Sequence, residues 1–465
     1  MRKFMRYTIL SIVLLIAVFL LFTGFFAAAE KPPISNKLSK SGLLSDLRFL
    51  DSAVRTGHPV NYKAQLVTLR PLIDSVRNSD MDSLTKGEYR FIIGKALSMI
   101  GCIHTSLESN PMLSSDQHAY FPLRVNLIAG HLYYTGTSST IVKRGAEITE
   151  INGMPVSKLL GQLRNYAASD GGTDAFSSQY LHAMAGQLIA LYFTYPKQYK
   201  LRLSDGKMLS LTSVNDPETD KVKADDQVSV RSLNASTTLL KIPTFSSNED
   251  FADIFKTINS LHVQNLVIDL RGNTGGDRDA AVALFSHLVN NSFSYQILQP
   301  KQLHPYAFLN GKGKTYYVLS FIKYNIGNFF KGKRTPLGRS FSYAFKSSKE
   351  LYKGHLFVLT DGFTASSATM VTSWLKQHTN AVFVGRQSGG GYNGNDGGSF
   401  PLITLPCSKM VLRFPVYRLI LDPGSEKRDG IIPDHLVEYN LEDVLSGKDK
   451  DLEKASTLIE ATSVH

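Results

Sequence analysis

The segment Thr364-Ala365-Ser366-Ser367-Ala368 places a serine between an apolar run, His355–Leu359, and a helical pattern whose inner face carries Met370, Val371 and Trp374. A hydroxyl at such a joint projects from a sheet edge, and the next backbone N–H is placed to hold a developing oxyanion. The plainer alternative is a helix N-cap, which serine and threonine fill without any catalysis. A second joint, Asp269-Leu270-Arg271-Gly272-Asn273-Thr274-Gly275-Gly276, follows the apolar run Leu266–Leu270 and precedes a helical pattern from Asp277 to Val289. Glycines there let backbone N–H groups face a ligand, for phosphate binding or for oxyanion stabilisation. No Lys-Ser or Lys-Thr follows the glycines, which excludes a P-loop; an ordinary tight turn stays open.

A nucleophilic serine needs a base, and the base needs an orienting group. His104 follows a helical stretch and sits beside Thr105 in a loop, which makes it the candidate base; His182, His355, His378 and His435 compete. A lone histidine is more often structural or exposed. Glu426 and Asp422, in the loop Asp422-Pro423-Gly424-Ser425-Glu426, could hold the imidazole, although loop acids are ordinarily just solvated.

These residues must be positioned by a chain of 465 residues, long enough for two or three domains and a full core. With 43% hydrophobic and 19% charged residues, it has the composition of an ordinary globular protein. Residues 1–29 read as an export signal or membrane anchor: Arg2, Lys3 and Arg6, an apolar run from Tyr7 to Phe26, then Ala27-Ala28-Ala29. Either fate places the rest of the chain outside the cytoplasm, in the periplasm or cell envelope. The net charge of +12 would suit nucleic acid or a membrane surface, but an export signal argues against nucleic acid. Much of the basic surplus lies in 301–353, mixed with Tyr316, Tyr317, Phe321, Tyr324, Phe329 and Phe330. A membrane-surface flap and an ordinary packed insertion both fit that mixture. The two cysteines, Cys102 and Cys407, offer one candidate pair and no disulfide framework.

Periodicity divides the chain further. Residues 34–115 are expected to form a helical domain, with Leu43, Leu47, Leu50 and Val54 on one face. Residues 116–215 read as short β runs, including His131–Tyr134, Ala146–Ile151 and Lys200–Leu203, interrupted by a helix from Ser177 to Phe193. Residues 214–231 are polar and suit a surface connection. Residues 232–445 alternate buried strands with helices, as an α/β core does, and 446–465 form a final helix and tail.

Together these motifs resemble the C-terminal processing (tail-specific) peptidases, the family that includes the tricorn core protease. The resemblance rests on Leu266–Gly276, on Asp361–Trp374 with Val382-Phe383-Val384-Gly385, on Gly430–Asp434, and on Gly145–Val156, which looks like that family's PDZ-type domain. It implies a ClpP/crotonase-like α/β core, 232–445, with a degenerate PDZ-like domain at 116–215. It further implies attack by Ser366 on a peptide carbonyl, and an oxyanion hole from Gly275 or Gly276 with Ser367. Ser–Lys members carry a lysine about 25 residues past the serine; here that place is Gly391, with no lysine near. Ser–His–Glu members place a histidine before the PDZ-like segment and a glutamate some sixty residues past the serine, matching His104 and Glu426. Lys241 is the reserve base. The expectation is an exported serine endopeptidase acting on peptides or proteins, with no metal, organic cofactor or nucleic acid. The rival reading is an inactive relative that binds peptides or envelope ligands; an acyl-CoA enzyme of crotonase type conflicts with the export signal.

Overall fold

A computed structural model describes residues 38–61, 67–109, 119–215, 227–301, 305–326, 332–425 and 427–462. Residues 1–29, where an export signal or anchor is expected, and the aromatic pair Phe329 and Phe330 lie outside them. Among the described residues no helix is long and apolar enough to cross a membrane.

The fold is mixed α/β. Its central sheet runs in the order Ser229–Asn234, Thr237–Lys241, Asn265–Asp269, His355–Thr360, Val382–Gly385, His435–Leu436. The first pair is antiparallel and every later neighbour is parallel. Alternation decides what each strand buries, because successive side chains point to opposite faces. Leu266 and Ile268, with Leu356 and Val358, join the main core, which includes the helices Arg278–Ser286 and Ser367–His378. Val267, Phe357, Leu359 and Val384 face the other way, onto Ala455 and Ile459 of the final helix Lys450–Thr462. Helices on both faces explain why these strands are apolar throughout.

The helices Lys40–Gly57, Arg70–Arg77 and Lys86–Ile100 share the main core, since Leu47, Leu50 and Ile93 belong to the same buried cluster as Ile268 and Trp374. Asp46 ties this region down from within: its carboxylate accepts from Tyr89 Oη at 2.8 Å and from the backbone N–H groups of Cys407 and Ser408. A Thr85–Glu88 capping box starts Lys86–Ile100, and Gly101, at φ 66°, ends it. That left-handed exit turns the chain into the loop that carries His104.

A separate antiparallel sheet runs Val125–Ile128, His131–Tyr134, Glu147–Ile151, Gln198–Leu203, Met208–Thr212. Its buried residues form their own cluster with helices Val156–Leu163 and Ala175–Tyr192. The second helix begins two residues before the expected start and is kinked at Met184, which is only half-buried. The connection expected at 214–231 ends sooner, because Ser229–Asn234 pairs onto the central sheet; 216–226 lie outside the described residues.

Within 301–353, the strands Gly332–Thr335 and Gly338–Phe345 pair with each other, and the latter also pairs with Phe293–Pro300. Tyr324 and Phe341 are buried there, whereas Tyr316, Leu319 and Phe321 on the helix Gly311–Phe321 are exposed. Cys102 and Cys407 are both free, the first buried and the second exposed.

Candidate active site

Ser366 stands where two strand-to-helix turns are fastened together. The Asp361 carboxylate accepts from the Gly272 N–H at 3.0 Å and from the Phe363 N–H at 2.9 Å. Thr364 Oγ1 donates to the Leu270 carbonyl, and the Ala365 N–H donates to that of Asn273. Between these bonds Ser366 is held at φ 53°, ψ −120°, a positive-φ conformation that strains a side chain. A serine stays in so sparsely populated a region only when its surroundings over-determine it.

The glycine turn explains the closeness. A Cβ on Gly275, at φ 112°, would lie 2.6 Å from Ser366 Cβ and 3.0 Å from its Oγ. A Cβ on Gly276 would strike the Phe245 carbonyl oxygen at 2.1 Å. Only glycine permits both approaches. The Gly275 N–H is already engaged, donating to Asn273 Oδ1 at 2.8 Å. Among the described residues the Gly276 and Ser367 N–H groups have no acceptor, while Ser367 Oγ donates to the Gly276 carbonyl.

His104 reaches this turn from the loop after Lys86–Ile100, with Nε2 3.1 Å from Ser366 Oγ. The loop is held by a hydrogen bond of 2.6 Å between His58 Nε2 and Thr105 Oγ1, and by the Thr105 N–H donating to the Cys102 carbonyl. The imidazole stacks on Phe400 at 5.3 Å with planes 9° apart, and the Arg413 guanidinium lies over the Phe400 ring, 4.6 Å from its centroid. Burial, then the Arg413 charge, push the His104 pKa down to about 4. At neutral pH the imidazole is uncharged and able to take a proton.

Its other nitrogen, Nδ1, is buried without a hydrogen-bond partner. Asp170 is also buried: Oδ1 accepts from the Ile103 N–H at 2.9 Å, while Oδ2 has no well-formed hydrogen bond. Burial pushes its pKa up to about 7, against the Ile103 N–H, which favours the ionised form. Cys102, His104 and Asp170 bring one donor atom each within 4.8 Å of the others. Burial holds the Cys102 thiol well above its usual pKa, which keeps it protonated beside His104.

Of the residues expected from sequence, Ser366, His104, Gly275, Gly276 and Ser367 come together. Glu426 lies outside the described residues. Asp422 caps its own loop, accepting from the Gly424 N–H. Lys241 is exposed at the end of Thr237–Lys241, whereas a base lysine works desolvated, and no hydrogen bond joins it to Ser366 among the described residues. His182 is engaged elsewhere, with the Leu127 carbonyl and Asn126. Sequence reasoning missed Asp170, Phe400 and Arg413. Asp170 stands in Ser169-Asp170-Gly171-Gly172, which reads as a plain turn; no local pattern marks a carboxylate that meets the histidine only after folding.

Residues 236–437 match the family described as Peptidase family S41. No curated protein matches the sequence. The structure is similar to mature CPAF complexed with lactacystin, with a TM-score of 0.62 at 15% identity over 90% of this chain and 98% of that one. It is similar also to another crystal structure of mature CPAF, with a TM-score of 0.60 at 16% identity over 90% and 97% of the two chains. At such identities the likeness is one of fold.

Proposed function

Because this chain belongs to peptidase family S41, a family of serine peptidases, we propose that it hydrolyses peptide bonds through an acyl-enzyme at Ser366, with His104 as the base. The observation that carries this reading is the 3.1 Å contact between His104 Nε2 and Ser366 Oγ, made beside a glycine turn at a strained serine. In the first half-reaction Nε2 takes the hydroxyl proton as Oγ bonds to the peptide carbonyl carbon. The resulting oxyanion is held by the Gly276 and Ser367 N–H groups, which have no acceptor among the described residues. The imidazolium then gives its proton to the leaving amine, and the C–N bond breaks. Water, deprotonated by the same imidazole, releases the acid and restores Ser366.

An imidazole of pKa about 4 is a weak base until an acid faces Nδ1. Glu426 has the spacing for that role. Asp170 has the neighbourhood: one of its carboxylate oxygens lies within 4.8 Å of a His104 ring nitrogen, and Oδ2 and Nδ1 are both buried without a hydrogen-bond partner. We assign Asp170 to orienting His104, with Glu426 as the alternative. The paired His104 and Ser366 favour an enzyme over an inactive binding relative.

The wider reading follows the sequence. The chain is exported by its first 29 residues and works outside the cytoplasm. Residues 232–445 form a ClpP/crotonase-like core and 116–215 a PDZ-like domain, supported by the separate sheet and apolar cluster there. The exposed Tyr316, Leu319 and Phe321 would suit contact with a membrane surface. The test is labelling of the purified chain by a fluorophosphonate. Wild type should label, Ser366→Ala and His104→Ala should not; a correctly folded wild type that stays unlabelled across pH 5–9 would return the protein to the binding reading.

A further inference from the structure

A cavity of about 410 Å³ opens beside His104, with Thr274 of the glycine turn also on its wall. Arg90 and Arg413 both line it, together with Tyr166 and Tyr180. Arg90 comes from the helix Lys86–Ile100. One turn on, Gly94 lets that helix approach Tyr166 closely: a Cβ at Gly94 would lie 3.0 Å from the Tyr166 carbonyl oxygen. The approach lays the Arg90 guanidinium over the Tyr166 ring, 5.0 Å from its centroid.

What distinguishes Arg90 is the lack of a counter-charge. Its Nε is buried and has no hydrogen-bond partner, and among the described residues no carboxylate pairs with it. Burial lowers its pKa, opposed by the hydroxyls of Tyr166, Tyr180 and Tyr195, of which Tyr166 also shares a side-chain hydrogen bond with it. Arg413 is also weakly matched, 3.8 Å from Glu108 through Nε, with both side chains substantially exposed. Removing a guanidinium from water without an anion is unfavourable, and ring stacking offsets only part of that cost. A guanidinium with no carboxylate partner in a cavity beside His104 fits a planar anion, because arginine meets a carboxylate through two parallel N–H···O bonds.

We propose that this cavity binds a carboxylate of the substrate, with Arg90 as the principal contact and Arg413 as the second. This rests on the peptidase reading and narrows it: the bond cleaved lies within a few residues of a negative charge. That charge comes from an aspartate or glutamate side chain or from the free C-terminus of the substrate. Both present the same group, and the cavity volume accepts either one.

The experiment measures binding in the inactive full chain, Ser366→Ala, with fluorescent hexapeptides of three kinds. One carries glutamate at each central position in turn, with an amidated C-terminus. The second carries glutamine throughout with a free C-terminus, and the third glutamine with an amide. Anisotropy titrations should show at least one carboxylate peptide binding about tenfold or more tighter than the neutral peptide, as for a charge-assisted bidentate contact. The tighter kind tells side chain from C-terminus. In Ser366→Ala/Arg90→Met that preference should disappear, and in Ser366→Ala/Arg90→Lys, which keeps the charge without the fork, it should return in part. Melting curves identify a variant that has not folded; Arg90→Lys then decides the matter by a reduced preference. Equal binding of all three kinds, no binding up to millimolar peptide, or a preference that survives both Arg90 substitutions would overturn the assignment. Fluorophosphonate labelling of wild type separately reports the peptidase reading, so failure of one is not mistaken for failure of the other.

Discussion

Asp170 and His104 show at the residue scale how burial sets a site's chemistry. Desolvation moves both away from their charged forms: His104 falls to about 4 and Asp170 rises to about 7. The Asp170 shift lowers stability at neutral pH, where the unfolded carboxyl is ionised, whereas the His104 shift lowers it only below about 6.5, where the unfolded imidazole takes up a proton. Asp170 holds its proton more tightly folded than unfolded, so its contribution is present at low pH and disappears as pH rises through about 7. Asp170→Asn should therefore melt higher than wild type above pH 7, with no such gain near pH 4. The same variant should lose activity, on the order of a hundredfold in kcat, because the imidazole loses its orienting acid. Melting by scanning fluorimetry and peptide turnover at pH 8 would check both. An Asp170→Asn protein with unchanged kcat would pass the role to Glu426.

At the scale of elements, the decisive structure is a pair of turns rather than a pair of strands. Asn265–Asp269 and His355–Thr360 are parallel neighbours, in a register that aligns Asp269 with Leu359. Their C-terminal ends therefore deliver the glycine turn and the Ser366 turn side by side, as open α/β sheets do for ligand sites. Asp361 and Thr364 then close the gap with hydrogen bonds from one turn to the other. The Arg271 guanidinium fastens the same region to the last helix, meeting Asp269, Asp449 and Asp451 at 2.7, 2.6 and 3.0 Å. In that setting Gly275→Ala has nowhere to place its methyl, with Ser366 Cβ at 2.6 Å and the backbone already at φ 112°. The nucleophile must shift, and the fluorophosphonate labelling rate should fall roughly a hundredfold or more. Labelling at the wild-type rate would mean that the turn has more room than this geometry allows.

For the whole molecule, the helices of 40–100 and the central sheet form one apolar cluster, and the His104 loop is set between them. That shared interior also buries His58, whose pKa falls to about 4 through desolvation. Two histidines held neutral in the fold and free to charge near 6.5 when unfolded give stability that is complete above about 6.5 and lost as pH falls toward 4. Asp170 works in the opposite sense across much of that range and cancels about one of the two protons. The melting temperature should accordingly fall between pH 6.5 and pH 4 in wild type, and fall more steeply in Asp170→Asn. A flat profile in both proteins would place water against the two imidazoles.

The sequence by itself determined the strands that end in chemistry, the serine, the glycine turn and the histidine. Each is marked locally: an apolar run bounded by turn residues, a small residue at a strand-to-helix joint, a polar loop after an amphipathic helix. Apolar periodicity and turn chemistry are short-range properties, so they survive in one dimension. Its place in that loop and the resemblance together favoured His104 over four other histidines; the contact with Ser366, 262 positions away, comes from the tertiary structure. The tertiary structure alone decided that the Gly275 N–H is consumed by Asn273 while that of Gly276 is left, a matter of which peptide planes face which carbonyls. It alone brought Asp170 within 4.8 Å of His104 and, among the described residues, left Arg90 without a carboxylate partner. Burial and the absence of a partner are properties of the packed chain, and no spacing of residue types encodes them.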